Sequence, residues 1–383
     1  MKKVYYIANA RMPSERAHAI QIAKMCEALL LEGVDLTLVV PKRAFVSVSP
    51  QVFYGLSRDI SVVYLPVLSR AYGAGKIGFW IGSLSFVFSY LAFLWSRFLR
   101  GERALGYSID MDQFSSIGMP LSPYPYMMEL HDAKPHGVLY SIVLRGALGI
   151  VTINSIIRDK LAVRFSLPAE KILVCPNGID FSRFGNPVTR EIARERLAIP
   201  LEAKIALYAG QLYAWKGLRQ LIEFAERSPA LDLYLVGGTK EELASFLPEL
   251  AIPNNLICIG KRPYAEMPLW LQAADMLIVL GTKDNEYSYY HTSPMKLFEY
   301  MSAGVPILAA DTPAIREVAD ESEVWFYQPD DAADMARVAD GIFKLGGSAR
   351  AIKSAEANTR AQGYSWKKRA EKVLAYTRVS ASR

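Results

Sequence analysis

The order of apolar and polar positions at the start of the chain predicts a strand, a helix and a second strand. Residues 4–10, "VYYIANA", form a short apolar run typical of a buried strand. Residues 12–33 place apolar side chains at helical spacing between a Pro13-Ser14 cap and Gly33. Residues 34–40, "VDLTLVV", alternate as a strand. Together they predict a βαβ unit of a parallel sheet.

The same alternation of short apolar runs and helical patterns continues along the whole chain. Further strands of the first half are predicted at residues 124–135, 148–155 and 171–180. A second series has strands at 204–212, 231–238, 255–260, 275–280 and 305–310, and helices at 216–228 and 239–247. Pro187 and the charged stretch after it indicate a linker between the series. The pattern therefore predicts an α/β protein with two successive doubly wound, Rossmann-like domains.

Residues 77–96 contain no charged side chain, whereas Lys76 precedes them and Arg97, Arg100 and Arg103 follow. A helix of twenty residues without charge is long enough to span a bilayer. The segment also holds four serines and two glycines, which favours a buried helix or one lying on a membrane surface.

Composition restricts the class of protein. Of 383 residues, 51% are hydrophobic and 21% are charged, which is typical of a globular protein. The three cysteines are far apart and form no C-x-x-C pair, so neither a disulfide framework nor a zinc site is expected. The apolar run after "MKK" is too short for a signal peptide. We therefore expect a cytoplasmic protein.

The net charge of +6 is unevenly distributed. Residues 1–185 hold 20 basic and 13 acidic side chains, and the remainder holds 24 and 25. An excess of +7 in the first half fits an anionic membrane surface, a nucleic acid or an acidic substrate, and also an ordinary surface.

Two motifs in the second half could carry chemistry. In "HTSPMKLFEYMSAGVP", 291–306, Glu299 lies among apolar helix neighbours, where a buried carboxylate needs partners such as a sugar diol. Alternatively, Glu299 is exposed on the surface of the helix. The turn Thr292-Ser293-Pro294 would leave the amides of Met295, Lys296 and Leu297 free for a phosphate. In "AGQLYAWKGL", 209–218, Gly210 ends a strand, and Lys216 could neutralise a diphosphate or be a solvated lysine.

These motifs, with "PNGID", "AADMLIVL" and the terminal "YSWKKRAEKV", resemble in order and spacing the retaining family 4 glycosyltransferases. The resemblance covers nearly the whole chain. It implies the GT-B fold, in which two Rossmann-like domains face a cleft and a C-terminal helix crosses back to the first. It places the acceptor-side domain at 1–185 with helix 364–383, and the domain that binds the nucleotide sugar at 186–363.

The resemblance also assigns roles to residues. Glu299 would hold the nucleotide ribose, Lys216 would stabilise the departing diphosphate, and His131 would orient the donor sugar. Arg262 would lie near the phosphates or the base. In the loop after the first strand, Asn9, Arg16 and His18 would contact the acceptor or a phosphate.

The chain departs from the family pattern at two positions. His291 replaces the first of two glutamates that normally have seven residues between them, which affects the contacts with the transferred sugar. Gln211 replaces an arginine that normally pairs with the lysine. Leaving-group stabilisation would then depend more heavily on Lys216 and on the amides of residues 295–297.

The resulting hypothesis is a retaining glycosyltransferase that needs neither a metal nor another cofactor, since no Asp-x-Asp motif is present. It would move a sugar from a nucleotide sugar to a glycan or lipid-linked acceptor, in the synthesis of cell-surface polysaccharide or glycolipid. The enzyme would bind peripherally to the inner face of the membrane. A non-catalytic subunit of the same fold, supporting another transferase, is the alternative. A nucleic-acid-binding protein is disfavoured because no recognisable module is present.

Overall fold

The computed structural model describes residues 3–43, 48–110, 112, 114–184 and 188–382. This part of the chain forms two compact units. The N-terminal unit comprises Met1–Gly178 and Trp366–Arg383, and the C-terminal unit comprises Ile179–Ser365. The expected boundary between residues 185 and 186, and the linker at Pro187, lie outside the described residues.

Within the described residues, the N-terminal unit has a seven-stranded parallel sheet in the order β3-β2-β1-β4-β5-β6-β7. Its strands are β1 (Lys3–Ala8), β2 (Asp35–Pro41), β3 (Ser61–Leu65), β4 (Leu105–Asp110), β5 (Tyr126–Leu130), β6 (Gly149–Thr152) and β7 (Ile172–Val174). Its helices are α1 (Ala17–Leu31), α2 (Pro50–Tyr54), α3 (Gly75–Leu99), α4 (Val138–Gly146), α5 (Ser155–Phe165) and, from the end of the chain, α15 (Trp366–Ala381).

The C-terminal unit has a six-stranded parallel sheet in the order β10-β9-β8-β11-β12-β13, again counted over the described residues. Its strands are β8 (Ile205–Ala209), β9 (Asp232–Val236), β10 (Leu256–Gly260), β11 (Met276–Val279), β12 (Ile307–Ala310) and β13 (Trp325–Tyr327). Its helices are α6 (Phe181–Phe184), α7 (Arg190–Leu197), α8 (Arg219–Arg227), α9 (Lys240–Phe246), α10 (Met267–Ala273), α11 (Met295–Ala303), α12 (Pro313–Arg316), α13 (Ala332–Lys344) and α14 (Gly347–Ala361).

Both sheets are doubly wound, which confirms the predicted fold class. Helices cover parallel sheets on both faces, so the strands are buried along their length, as β4 and β8 are at every residue. The strand order reverses at β1 in one unit and at β8 in the other. Ligands of such sheets bind beyond the carboxyl ends of the strands at this reversal. The loops after β1 and β8 are therefore the positions to inspect in each unit.

Several predicted elements differ in detail from the structure. Helix α1 begins at Ala17 and its N-cap is Arg16, without a side-chain cap, so the predicted Pro13-Ser14 cap is wrong. Helix α8 begins at Arg219 because residues 214–216 form a 3-10 turn first. Strands β3, β4 and β13 had no clear sequence signal. β13 has only three residues, and β4 includes Gly106, which weakens strand propensity.

The terminal helix α15 belongs to the N-terminal unit, where it packs against α1 and β6. This confirms the return of the chain end to the first unit. Among the described residues, α3 is the one helix long and apolar enough to span a membrane by length and composition alone. One face of it packs on the sheet through Phe86, Tyr90 and Leu94, and the other face is exposed.

Candidate functional site

Gly210 ends β8 in a conformation and a space that exclude a side chain. Its φ is +150°, and its amide donates to the Val236 carbonyl at 2.6 Å. A Cβ at this position would lie 1.4 Å from Lys296 Nζ. The absence of a side chain at residue 210 therefore lets a lysine from α11 reach across the end of β8.

Two lysines meet beside this glycine. Lys216 Nζ donates to the Gln211 carbonyl at 3.1 Å and lies 4.8 Å from the centre of the Tyr213 ring. Lys296 Nζ lies 3.3 Å from Tyr208 Oη and 4.4 Å from the centre of the Tyr208 ring. The two amino groups are close neighbours, and a hydrogen bond between them requires that one of them is a neutral amine, since an ammonium group cannot accept. Within the described ranges neither has a carboxylate at ion-pair distance.

The electrostatics of this pair follow from its burial. Desolvation lowers the pKa of Lys216 to about 8. Desolvation, together with the positive charge of Lys216, lowers the pKa of Lys296 well below its ordinary value. An anion placed between the two lysines would favour their charged forms. The arrangement is therefore suited to bind a phosphate or diphosphate.

Glu299 lies on α11, one turn beyond Lys296, and only 9% of it is exposed. Its Oε1 accepts a hydrogen bond from Tyr264 Oη at 2.7 Å. Burial raises the pKa of Glu299 to about 7, and Tyr264, Lys296 and Arg183 counteract part of that rise. Glu299 is thus a buried carboxylate with one neutral donor, and it can accept further hydrogen bonds from a diol.

The start of α11 supplies backbone donors, with one correction to the expectation. Thr292 Oγ1 donates to the Ser288 carbonyl at 3.3 Å, and Ser293 is buried. The Leu297 amide donates to the Pro294 carbonyl at 2.9 Å, so the prediction of a free amide at Leu297 is wrong. The tight first turn that begins at Pro294 causes this. Met295 and Lys296, in that first turn, have amides without an intrahelical acceptor.

Helix α11 is held firmly against β8 and is ended by a glycine. Tyr300 Oη accepts from the Ala209 amide at 2.9 Å. Gly304, with φ +70°, ends the helix, and Asn358 Nδ2 donates to the Ser302 carbonyl at 2.8 Å. These contacts fix Lys296 and Glu299 relative to the end of β8.

The residues at the two departures from the family pattern have definite surroundings. Gln211 Oε1 accepts from Tyr213 Oη at 2.5 Å. His291 is buried at the end of a π-helical turn, Tyr287–His291, and its ring lies 6.4 Å from that of Tyr287. Arg262 is exposed, and its guanidinium lies 5.8 Å from the Trp270 ring centre.

In the N-terminal unit, His131 follows β5 and is part of a buried polar network. Its Nε2 lies 2.7 Å from Glu129 Oε1, and Gln21 Nε2 donates to the same oxygen at 2.9 Å. Arg369 of α15 donates to Glu129 at 2.8 Å. Burial opposes ionisation of Glu129, but Arg369 and the hydrogen bonds from His131 and Tyr107 outweigh it and hold its pKa well below the ordinary value.

The loop after β1 carries the expected acceptor-side residues. Asn9 is buried, and its Nδ2 donates to Ser83 Oγ at 2.9 Å and to Asp112. Arg43 Nη2 donates to the Asn9 carbonyl at 3.1 Å, and the Arg43 guanidinium lies 3.7 Å from the Tyr72 ring centre.

Arg16 is exposed at the start of α1, and His18 is half-buried. Burial, followed by the charges of Arg16, His131 and Arg43, lowers the pKa of His18 to about 4. His18 is therefore neutral near pH 7 and sits in a basic environment.

Comparison with known proteins connects the C-terminal unit with a protein family. Residues 189–359 match the family model described as Glycosyl transferases group 1. This segment, just under half of the chain, resembles the group 1 glycosyltransferases. The matched segment contains the glycine turn, both lysines and Glu299, and the expected family is confirmed.

The curated relatives agree with this assignment. The chain is 26% identical over 222 residues to the Bacillus subtilis protein TuaC, named for teichuronic acid biosynthesis, and the match covers 55% of this chain and 53% of TuaC. It is 27% identical over 164 residues to a D-inositol 3-phosphate glycosyltransferase of Corynebacterium efficiens, covering 39% and 37%. The chain thus spans about half or less of the length of these relatives.

Solved structures extend the likeness of fold to the whole chain. The Anabaena protein Alr3699/HepE, crystallised with UDP and glucose, has a TM-score of 0.72 over 98% of this chain and 99% of its own. Its sequence identity is 16%, so this likeness concerns the fold.

The structure brings together five of the predicted residues within the C-terminal unit: Gly210, Gln211, Lys216, Lys296 and Glu299. Three partners of the predicted residues were missed: Tyr208 under Lys296, Tyr264 on Glu299, and Glu129 beside His131. Tyrosine in a strand or loop has no distinctive spacing. In the sequence, Glu129 belongs to the apolar run "YMMEL". A carboxylate inside such a run, two residues before His131, could have indicated this pairing.

Proposed function

We propose that this protein is a retaining glycosyltransferase that transfers a sugar from a nucleotide diphosphate sugar to a glycan or lipid-linked acceptor. The observation that carries this proposal is the pair of ammonium groups at the end of β8, in a family of glycosyltransferases. A departing nucleoside diphosphate develops negative charge, and preorganised positive charge is the strongest means of stabilising it.

The named side chains divide the work. Lys216 stabilises the departing diphosphate, Glu299 accepts from the ribose hydroxyls, and His131 orients the donor sugar. The proposed reaction forms no covalent intermediate with the protein, and the acceptor attacks from the face of the departing diphosphate. The diphosphate itself then assists deprotonation of the acceptor, and retention of configuration follows.

Positive charge at this site comes from lysines, which supports a reaction without a divalent metal. Among the described residues, no group of three or more His, Cys, Asp or Glu could hold a metal ion. The likeness to TuaC and to inositol phosphate transferases supports an acceptor that is a glycoconjugate or its precursor. The UDP and glucose bound to HepE support a nucleotide diphosphate sugar as donor.

We further propose that the enzyme is cytoplasmic and binds the inner face of the membrane through α3. The outward face of this helix exposes large apolar side chains, namely Ile77, Trp80, Ile81, Leu84, Phe88, Trp95 and Leu99. Lys76, Arg100 and Arg103 are exposed beside the two ends of the helix. An apolar helix face with basic flanks is suited to an anionic bilayer surface.

The test is a thermal-shift panel of nucleotide sugars, followed by product analysis with the donor that gives the largest shift. A selective ligand stabilises the folded state by mass action, so we expect one base and one sugar to stand out. Slow hydrolysis or transfer from that donor, undiminished by EDTA and with the anomeric configuration retained, is the expected result. Binding without any turnover would favour the non-catalytic subunit, for which His291 and Gln211 are the motivation.

A further inference from the structure

Lys296 occupies an unusual position for a lysine. Its chain lies over the Tyr208 ring, and its ammonium fills the space that the missing side chain of Gly210 leaves. Long lysine side chains usually bury the stem and keep the ammonium in water. Here the amino group lies next to that of a second lysine, Lys216, which donates to the Gln211 carbonyl at 3.1 Å.

The surroundings of the two ammonium groups contain little negative charge. Tyr208, Tyr213 and Trp215 supply ring faces, and the Gln211 carbonyl supplies one acceptor. Glu299 attracts Lys296 but is hydrogen-bonded to Tyr264 and is not paired with the lysine at ion-pair distance. Half-buried like charges without counter-ions destabilise the empty protein. A bound anion between them removes this cost.

Gln211 does not bring a charge to the same place. The side-chain oxygen of Gln211 is bonded to Tyr213 Oη, on the loop that carries Lys216. The second positive charge at the end of β8 is therefore that of Lys296, held there by the attachment of α11 to β8 through Tyr300.

We propose that the Lys296 side chain is the second cation of a two-lysine diphosphate site, in which Lys216 and Lys296 each bind one phosphate group of the donor. This rests on the proposed function, which it deepens by assigning the positive charge that an arginine at residue 211 would otherwise supply. A site with two cations also favours diphosphates over monophosphates.

The test measures binding of inorganic pyrophosphate by calorimetry, since this probe needs neither the right base nor the right sugar. Replacing Lys296 by Met keeps the length and apolar contacts of the side chain and removes the charge. We expect Lys296→Met to weaken pyrophosphate binding about 10- to 100-fold, the value of one charge-assisted contact. Its melting temperature should be equal to or above that of the wild type, because a half-buried charge without a counter-ion is removed.

The matched control is Lys344→Met, which removes an exposed lysine on α13. It should bind pyrophosphate as the wild type does. If Lys296→Met melts lower than the wild type, its weaker binding could result from destabilisation. The double variant Gln211→Arg/Lys296→Met then distinguishes loss of charge from loss of stability. Recovery of pyrophosphate affinity supports the proposal, because an arginine at 211 can bring its charge to the Lys216 side. No recovery in that variant overturns it.

An affinity of Lys296→Met within threefold of the wild type also overturns the proposal. That outcome leaves the glycosyltransferase function intact, provided the wild type binds pyrophosphate and responds to a nucleotide sugar. If the wild type binds neither pyrophosphate nor any nucleotide sugar, the proposed function fails together with the lysine site. The two failures are therefore distinguishable.

Discussion

Individual residues in the C-terminal unit carry charge where burial makes charge costly. Lys216 and Lys296 lack a carboxylate partner among the described residues, and Glu299 has a neutral tyrosine as its hydrogen-bond donor. Removing a charge from water without a counter-charge costs free energy, so the stability of the fold alone does not account for these lysines. The predictions at this scale concern ligand binding and the dependence of stability on pH.

Lys216→Ala should lose most transfer activity while the protein stays folded. One charge contact with a developing diphosphate contributes about 3 kcal/mol of transition-state stabilisation, or roughly a hundredfold in rate. Steady-state kinetics with the donor from the panel measures this, with Lys344→Ala as the control. Near-normal turnover in a folded Lys216→Ala protein would refute the assignment.

Glu299→Gln should weaken donor binding more than it slows bound substrate. A ribose contact is made in the ground state and in the transition state alike, so KM for the donor rises while kcat changes less. Tyr264→Phe, which removes the hydroxyl on Glu299, should shift KM in the same direction. An unchanged donor KM in Glu299→Gln would return this carboxylate to a structural role.

Glu299 should also make the wild type less stable as pH rises. Burial raises its folded-state pKa to about 7 from 4.5, so between these values the folded state binds more protons than the unfolded state. The free energy of unfolding then falls with pH through this window and levels off above it. Urea denaturation at pH 5, 6 and 8 should show Glu299→Gln gaining stability relative to the wild type toward pH 8. Glu356→Gln, an exposed control on α14, should show no such trend.

At the scale of elements, α15 is fastened to the sheet of the N-terminal unit by one buried ion pair. Arg369 donates to Glu129 at the end of β5, to the Pro176 carbonyl at 2.9 Å and to the Cys175 carbonyl. Glu129 in turn bonds His131. The last helix of the chain therefore helps to fix the side chain that is proposed to orient the donor sugar.

Arg369→Met should destabilise the protein by about 3 to 5 kcal/mol, because it leaves Glu129 buried without its counter-charge. Chemical denaturation measures the loss. The double variant Arg369→Met/Glu129→Gln should recover a large part of it, since no unpaired charge then remains. If the double variant is as unstable as Arg369→Met alone, packing of the arginine stem is the main contribution of this residue.

At the scale of the whole molecule, the two halves differ in charge, with an excess of +7 in residues 1–185 and −1 in the remainder. The apolar face of α3 lies in the basic half, and Phe88 at its centre is 72% exposed. Arg97 is bonded to Glu102 at 3.2 Å, so the flanking charge available to a membrane comes from other residues. Lys76, Arg100 and Arg103 are exposed and meet this requirement.

The protein should co-sediment with anionic vesicles at low salt and be released as salt rises. Each exposed basic residue near the surface contributes about 1 kcal/mol, so the triple variant Lys76→Ala/Arg100→Ala/Arg103→Ala should lose most of the binding. The control removes three exposed basic residues of the C-terminal unit, Arg196, Arg227 and Lys240. Protein that remains in the supernatant at low salt would refute the membrane proposal.

The sequence by itself determined the doubly wound fold of both units and the order of the motifs along the chain. Apolar runs of strand length alternating with helical patterns report local periodicity, and parallel sheets covered on both faces make that signal strong. The glycine turn before Lys216 and the helix that carries Glu299 were also evident, because each is defined within about ten residues of sequence.

Only the tertiary structure decided which side chains meet. Lys296 reaches the end of β8 because β8 and α11 are attached through Tyr300, 91 residues from the Ala209 amide it accepts from. Arg369 reaches Glu129 across 240 residues, and Tyr264 reaches Glu299 across 35. Such contacts depend on strand order and on the turn that each loop takes, and local periodicity contains neither. For this reason the partners of the predicted residues became evident only from the folded chain.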